Sequence, residues 1–542
     1  FKKINFVQMS ITIRNFYLSI LCGILFGAAW PIKGVTILIF LALVPLLYIE
    51  NSISQDNSKR KGARVFGYSY ISFLLWNLIT TWWLYNASFY GMLFAITCNS
   101  LFYATIFLFY HLAKRRLPIK SANILLVSLW LSFEKLHLFW DFSWTWLNLG
   151  NVFSEKIYWI QWYEYTGVFG GSLWVLIMNI WIFNILKKDH FKFSKKSLKI
   201  MFGPLFLLSI PVLVSLIIYQ NLEDPKRDIE VVIFQPNIDP YDKKYNTTNK
   251  KFFKDFIEKS TPYITEKTNY ILTPETYFAE GYGEKLSNFS SSELHQSIQG
   301  LLKNYPNLEL ITGIQFYNTY FQKEAPSYTA NLVRDNLWIE FYNSALSEKL
   351  EKKPSVYHKS KLVVGVENMP FKSILKPLLG NVLIDLGGTV SSRVVQNDRL
   401  VFSHHSKSEK AAPIICYESI FGEFVTDYVK KGASFFAIIS NDAWWGETPG
   451  HRQLLSYTRL RAIENRRDIV RSANTGISAI INSKGEIIKK TDYNVKTVLK
   501  GNFASNSEIT FYSKYGDYIA RLSILMTLIL SLLSISGRLK KQ

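Results

Sequence analysis

Beyond residue 220 the chain holds one cysteine, Cys416, in PIICYES, where a run of apolar residues ends abruptly in polar ones. Glu275 closes another apolar run in YILTPE, and Lys359 lies between the two in VYHKSKL. Carboxylate, ammonium and thiol in that chain order make a workable acyl-transfer set. A free thiol is a poor nucleophile at its ordinary pKa, but an adjacent ammonium favours the thiolate and a nearby carboxylate can remove the proton. Glu275 is then expected to act as general base, first toward the thiol and later toward an incoming amine. Lys359 is expected to stabilise thiolate and tetrahedral oxyanion, with a backbone N–H at or near Tyr417. Cys416 would attack an ester carbonyl and hold the acyl group as a thioester. Each residue alone also has a plainer reading: a small buried hydrophobe for Cys416, a loop carboxylate after proline for Glu275, solvated surface for Lys359 beside Lys361. Their matching contexts together favour the chemistry.

The elements that must position these groups divide the chain. Of 542 residues, 49% are hydrophobic and 16% aromatic, and the apolar content is concentrated in the first 220, which is a membrane-protein profile. Seven stretches are apolar enough to form helices crossing ~30 Å of hydrocarbon: 16–30, 35–49, 68–85, 91–110, 122–133, 165–186 and 200–219. An eighth, 519–535, stands alone near the end. The first follows Lys2, Lys3 and Arg14 like a secretion signal, but the spans after it argue for an uncleaved anchor. The chain opens on Phe1, which leaves an upstream extension or a start at Met9 open.

Positive charge sets the orientation, because Lys and Arg in short loops stay cytoplasmic. Lys59, Arg60, Lys61 and Arg64 separate the second and third spans, Lys114, Arg115, Arg116 and Lys120 the fourth and fifth, and Lys187 to Lys199 the sixth and seventh. Arg538, Lys540 and Lys541 follow the last. Odd parity therefore puts residues 220–515 outside the cytoplasm. Much of the net charge of +21 is this topological signal facing anionic lipid, and no reader motif recommends nucleic acid. Cys22 and Cys98 fall inside expected spans, so no disulfide framework is available. With no GxxxxGK[ST] loop for a nucleotide, neither metal nor cofactor is expected.

The external portion alternates strand and helix patterns: EVVIFQ, NYILTPE, LELITGIQFY, PIICYES and FFAIISN read as buried or half-buried strands. Gly450 to Arg466 has helical periodicity, with its charged residues expected on an outer face. This is an α/β pattern whose reactive groups sit at the carboxyl ends of strands.

Glu275, Lys359 and Cys416 in this order, with the thiol at a strand end, resemble the carbon-nitrogen hydrolase (nitrilase) superfamily. The stretch NDAWWGETPGHRQLLSYTRLRAIENRRDIVRSANTGISAIINSKGE from Asn441 looks like its membrane-bound branch, the apolipoprotein N-acyltransferases, which places membrane helices before and after the triad. The resemblance implies a polytopic α-helical membrane domain plus an extracytoplasmic α/β nitrilase-like four-layer α-β-β-α sandwich. The corresponding boundaries are 1–222 for the membrane domain, 223–512 for the catalytic domain and 513–542 for a last helix and tail.

It also implies the reaction: a fatty acyl group moves from a membrane phospholipid to the α-amino group of an S-diacylglyceryl cysteine at an apolipoprotein N-terminus. The setting implied is the bacterial inner membrane, with the catalytic domain periplasmic and the enzyme a monomer. Further positions carry over. Glu367 lies eight residues after Lys359 as a carboxylate holding that lysine, although LVVGVE stands where the family more often shows LVPFGE. Tyr417 and Glu418 shape the nucleophile's pocket, Glu418 being equally open to a structural ion pair. Tyr245 flanks the entrance, Trp444 stands in the DAWWG motif, and Trp146 in WLNLG matches a loop facing the catalytic domain or, equally, an interfacial aromatic belt with Trp140 and Trp144. The apolar segment 369–384, broken by Pro370, Pro377 and Gly380, reads as an arm dipping into lipid rather than a dimer contact. Two other functions stay open: a membrane-tethered amidase that lets water accept the acyl group, and a transporter or scaffold, which the few ionisable residues near spans, Glu134 and Lys135, do not favour.

Overall fold

The computed structural model describes residues 11–57, 59–188, 202–240, 243–368, 392–404 and 408–537; the expected lipid-facing arm at 369–384 lies outside them. The chain forms two compact units. One comprises residues 1–84, 92–220 and 517–542, the other 85–91 and 221–516.

The first unit is helical. Ile11–Ala29, Thr36–Gln55, Phe89–Lys114, Tyr163–Lys188 and Tyr518–Ser536 are long and apolar enough to cross a membrane. Thr36–Gln55 is interrupted: a 3-10 turn over Thr36–Phe40 precedes an α-helix over Val44–Gln55 that opens on Pro45. The helices Lys61–Thr81 and Ile119–Leu136 coincide with two other expected spans but are more polar, the first opening on Lys61 and Arg64 and the second carrying Lys120, Glu134 and Lys135. A further apolar helix covers Phe202–Asn221.

Aromatic side chains fill the centre of this unit. Phe26 stacks on Trp76 at 4.7 Å, and Tyr103 lies 4.7 Å from Trp130 and 5.3 Å from Trp76. Trp146 is 1% exposed, packed on Trp83 at 4.9 Å and stacked with Trp144, so it is a core residue of the helical unit and no member of an interfacial belt. Buried ionisable groups are more numerous than expected. Glu50 receives Lys114 and Ser54 and pairs with His111 at 2.9 Å, and Lys135 meets Asp517 at 2.8 Å. Glu50 and His111 fall one residue beyond the stretches 35–49 and 91–110, because the helices run on to Gln55 and Lys114. Glu50 and Asp517 each have a cationic partner, which is how buried charge is tolerated in a structural role.

The second unit is built on two sheets. The first contains β1 (Ile229–Gln235), β2 (Thr268–Leu272), β3 (Glu284–Lys285), β4 (Glu309–Phe321), β5 (Asn331–Arg334), β6 (Leu337–Glu348), β7 (Ser355–His358) and, from the end of the unit, β14 (Thr497–Phe503). Its main order is β14-β1-β2-β4-β6-β5, with β3 on β4 and β7 on β6. The second sheet runs β13 (Ile487–Lys490), β12 (Ala479–Ile481), β11 (Ile469–Ala473), β10 (Phe435–Ser440), β9 (Lys410–Ile415), β8 (Phe402–Ser403). β1, β2 and β4 pair in parallel, as do β9, β10 and β11. Every residue of β2, β10 and β11 is buried, the signature of strands covered on both faces.

Between the sheets, Tyr270 of β2 meets Phe435 of β10 edge-on at 5.0 Å, and the Ser472 hydroxyl donates to the Phe234 carbonyl at 2.9 Å. Outside the first sheet, the helices Asn249–Ser260 and Glu293–Asn304 bury Phe252, Phe256, Ile298 and Leu302 against Val232, Phe234 and Ile271. The helices Gly422–Lys430 and Pro449–Asn465 cover the second. The result is a four-layer α-β-β-α sandwich.

Of the charges expected on the outer face of Pro449–Asn465, Arg452 and Arg459 are partly exposed, whereas Arg461 and Glu464 are internal. Along Pro449–Asn465, Arg461 donates to the Ile420 carbonyl and to Glu464, Asn465 accepts from Ser513, and all three are buried. Periodicity suggested an amphipathic surface helix. Packing on both sides turned its polar stripe into an internal hydrogen-bond layer.

Candidate active site

Three strand ends bring the candidate residues together. Glu275 follows β2 by three residues, Lys359 follows β7 directly, and Cys416 follows β9 directly. The turn at Cys416 is abrupt: its φ of 50° lies in the left-handed region, where an L-residue costs about 1–2 kcal/mol. Thr276, next to Glu275, is also left-handed at 47°. The Glu275 loop passes so close to β4 that a Cβ on Gly313 would lie 2.3 Å from the Pro274 carbonyl oxygen and 2.4 Å from the Thr276 nitrogen. Only glycine fits there.

Glu275 is saturated with donors. Its Oε1 accepts from Lys359 Nζ and Asn343 Nδ2, both at 2.8 Å, and its Oε2 from the Asn441 backbone at 3.1 Å. Lys359 Nζ donates also to Glu367 at 2.8 Å, and its backbone N–H donates to the Asn343 carbonyl. Glu367 in turn accepts from Asn343 at 3.0 Å and from the Val363 backbone at 2.9 Å. Asn343 thus spans both carboxylates that hold the ammonium. Burial opposes charge on Lys359, but Glu275 and Glu367 outweigh it and hold the ammonium above the ordinary lysine range. Burial likewise opposes charge on Glu367, and Lys359 and Arg393 override it to keep that carboxyl below the usual range.

Cys416 is buried, and burial, then Glu275, push its thiol up to about 12 against the pull of Lys359, with Asp442 adding to the rise. The pull of the ammonium toward a thiolate, expected from the sequence, is present but outweighed. Burial and the Glu275 charge outweigh Lys359, so the resting thiol keeps its proton. Asp442 is fixed by Arg471 in a bidentate pair at 2.7 and 2.9 Å, both fully buried, and accepts from Ser440 at 2.6 Å.

Among the described residues Glu418 makes no ion pair. It accepts from the backbones of Ile415 (2.8 Å), Ser360 (2.6 Å) and Lys361 (3.3 Å) and from the Tyr357 hydroxyl (2.7 Å). Burial raises its pKa. Its position ties the turn at Cys416 to the loop that carries Lys359. Tyr417 is buried edge-on against Phe421 at 5.2 Å. Tyr245 is half-buried, within electrostatic reach of Glu275 and Glu367 and bonded to Arg393. Trp444 lies half-buried in the 3-10 turn Asp442–Trp445, directly after β10. Trp146 belongs to the helical unit.

Four contributors were not anticipated: Asn343, the Asp442–Arg471 pair, Arg393 and Lys244. Asn343 sits inside the long strand β6 and has no local signal. Lys244, in YDKKY, reads as solvated surface but is buried, its Nζ 3.4 Å from the Glu275 carbonyl oxygen.

Residues 229–508 match the carbon-nitrogen hydrolase family, and residues 22–181 match the apolipoprotein N-acyltransferase N-terminal domain. The chain belongs to the carbon-nitrogen hydrolase family. It is 28% identical over 531 residues to an apolipoprotein N-acyltransferase of Chlorobaculum tepidum, covering 96% of each chain. To that of Geobacter metallireducens it is 24% identical, covering 94% of this chain and 92% of the relative, and to that of Borreliella burgdorferi 27%, covering 96% and 95%. Among solved structures, a Nesterenkonia amidase of the nitrilase superfamily aligns with 56% of this chain and 99% of its own at 13% identity and a TM-score of 0.36. With its apolar helices and these relatives, the chain is a membrane protein of the nitrilase-like α/β class.

Proposed function

We propose that this chain is an acyltransferase that moves a fatty acyl group from a membrane phospholipid to the α-amino group of the N-terminal S-diacylglyceryl cysteine of an apolipoprotein. The observation that carries the reading is the ammonium of Lys359 clamped between Glu275 and Glu367, with Glu275 and Lys359 both acting on the buried thiol of Cys416.

In the first half-reaction Glu275 takes the thiol proton as sulfur attacks the ester carbonyl. The C–S bond forms, the bond to the glycerol oxygen breaks, and Glu275 returns the proton to that oxygen, releasing a lysophospholipid. Lys359 stabilises the oxyanion between the two events. In the second half, the neutral amine attacks the thioester, Glu275 takes a proton from nitrogen, the C–S bond breaks and the thiol is re-formed. Thioester to amide runs downhill, so no nucleotide is consumed. Glu367 and Asn343 position Lys359, Glu418 positions the Cys416 turn, and Tyr245, Tyr417, Trp444 and Trp146 are assigned to substrate contact or its support.

The setting we assign is the bacterial inner membrane, with the catalytic unit periplasmic, on the strength of the Lys- and Arg-rich alternate loops. The working unit is a monomer. Incubating the native chain with phospholipid should leave an acyl mass on the Cys416 peptide, absent from Cys416→Ala, and adding a diacylglyceryl peptide should yield an amide. Free fatty acid alone would identify an amidase-like hydrolase, and an adduct on another residue would overturn the assignment.

A further inference from the structure

Among the described residues, Lys244 is a buried cation with no carboxylate hydrogen-bonded to its ammonium. The residue is 4% exposed, and among the described residues its only hydrogen bond is the 3.4 Å contact with the Glu275 carbonyl oxygen. Lys359, which acts electrostatically on Lys244, shows what a satisfied lysine looks like here: two carboxylates at 2.8 Å. The largest charges acting on Lys244 are Glu275, Arg393, Cys416 and Lys359. Glu275 is the one anion among these while Cys416 keeps its proton, and its oxygens are taken by Lys359, Asn343 and Asn441. Arg393 adds a second cation, donating to Gln315 at 3.0 Å and bonded to Tyr245. A buried ammonium is retained against its desolvation only where an anion or strong acceptors meet it. Among the described residues, the one carboxylate acting on it, Glu275, is already engaged.

We infer that Lys244, flanked by Arg393 and Tyr245, forms an anion subsite beside Cys416 that receives the phosphodiester of the acyl donor. This rests on the acyl-transfer reading above. Of the groups the two substrates bring near the reacting atoms, the ester is neutral and the acceptor amine is neutral or cationic. The phosphodiester, a few bonds from the ester carbonyl, is the fixed negative charge. Burial pushes Lys244 down to about 8, so the ammonium still predominates at neutral pH, and a bound anion strengthens it. The subsite would therefore select phosphate-bearing lipid esters from neutral glycerides sharing the membrane.

The test compares thioester formation on Cys416 in the full-length chain in detergent, with a phospholipid and with a diacylglycerol of the same acyl chains. Loss of one charge-assisted contact corresponds to about 10- to 100-fold. The ratio of kcat/KM for phospholipid over diacylglycerol should fall by that factor in Lys244→Met, mainly through KM, and be largely kept in Lys244→Arg. Residual thioester formation from diacylglycerol reports that the variant is folded. An unchanged ratio, with both donors losing equally, would make Lys244 a support for the Glu275 loop and overturn the subsite. Inorganic phosphate that blocks diacylglycerol turnover in the native chain but not in Lys244→Met would give the subsite to a free anion and overturn the lipid assignment. Absence of any thioester in the native chain would sink the acyl-transfer reading itself and the subsite with it.

Discussion

The protonated resting state of Cys416 separates two mechanisms that the same three residues could run. If Lys359 paired directly with a thiolate, the nucleophile would be ionised at neutral pH. With Lys359 held between Glu275 and Glu367, burial dominates and the thiol rises from an ordinary 9.0 to about 12. At about pH 8 the thiolate fraction is then about 10⁻⁴, against about 10⁻¹ for an ordinary thiol, a thousandfold deficit. Iodoacetamide alkylation of the Cys416 peptide, followed by mass spectrometry, reads this directly. Access scales the rate but leaves its pH slope alone, so the rate should rise about tenfold per pH unit with no plateau below about pH 10. The sign of each neighbour also follows. Glu275 raises the thiol's pKa, so Glu275→Gln should move the alkylation profile to lower pH even as acyl transfer collapses. Lys359 lowers it, so Lys359→Met should move the profile to higher pH. A plateau near neutral pH in the native chain would refute the neutral-thiol mechanism and restore a preformed ion pair.

Other perturbations probe the frame. In Glu418→Gln, the amide must point N–H at a donor now facing a carboxylate oxygen, so thermal stability should fall by about 1–3 kcal/mol together with the rate of thioester formation; unchanged values for both would remove Glu418 from the tie between the Cys416 and Lys359 loops. Gly313→Ala should displace the Glu275 loop, and because a misplacement of about 1 Å can cost about 100-fold, activity should drop by at least that order while phospholipid binding persists. Within the helical unit, Glu50→Leu should destabilise by about 3–5 kcal/mol by stranding Lys114, and much of the loss should return in Glu50→Leu with Lys114→Met, as measured by thermal unfolding in detergent.

The parts of this site legible in the sequence are those whose chemistry is announced by a local contrast. Cys416 and Glu275 each end an apolar run, and the runs are the buried strands β9 and β2. The parallel strands stood out because both faces are covered. Asn343 was invisible for the complementary reason: in FYNSALSE it is one of several polar residues in a strand buried from Tyr342 to Glu348, and its importance comes from Glu275 and Glu367, 68 and 24 positions away. Lys244 was not singled out, because adjacent lysines usually mark solvent, and its burial comes from the fold. Arg461 and Glu464 of Pro449–Asn465 were expected on an outer face for the same reason, since periodicity reports a polar stripe without reporting what covers it. In the helical unit, boundaries too short by a few residues at 49 and 110 concealed Glu50 and His111.

The doubled grip on Lys359 has a consequence for turnover. Each half-reaction loads a proton onto Glu275 and then discharges it, so twice per cycle the ammonium's neighbour on one side goes electrically blank. Glu367 stays behind as ballast, and the Asn343 amide, bonded to both acids, keeps the pair in register while only one of them changes state. The proton carrier can therefore flicker without the cation drifting or shedding its own proton. A buried site is in this way able to run acid–base chemistry at constant alignment.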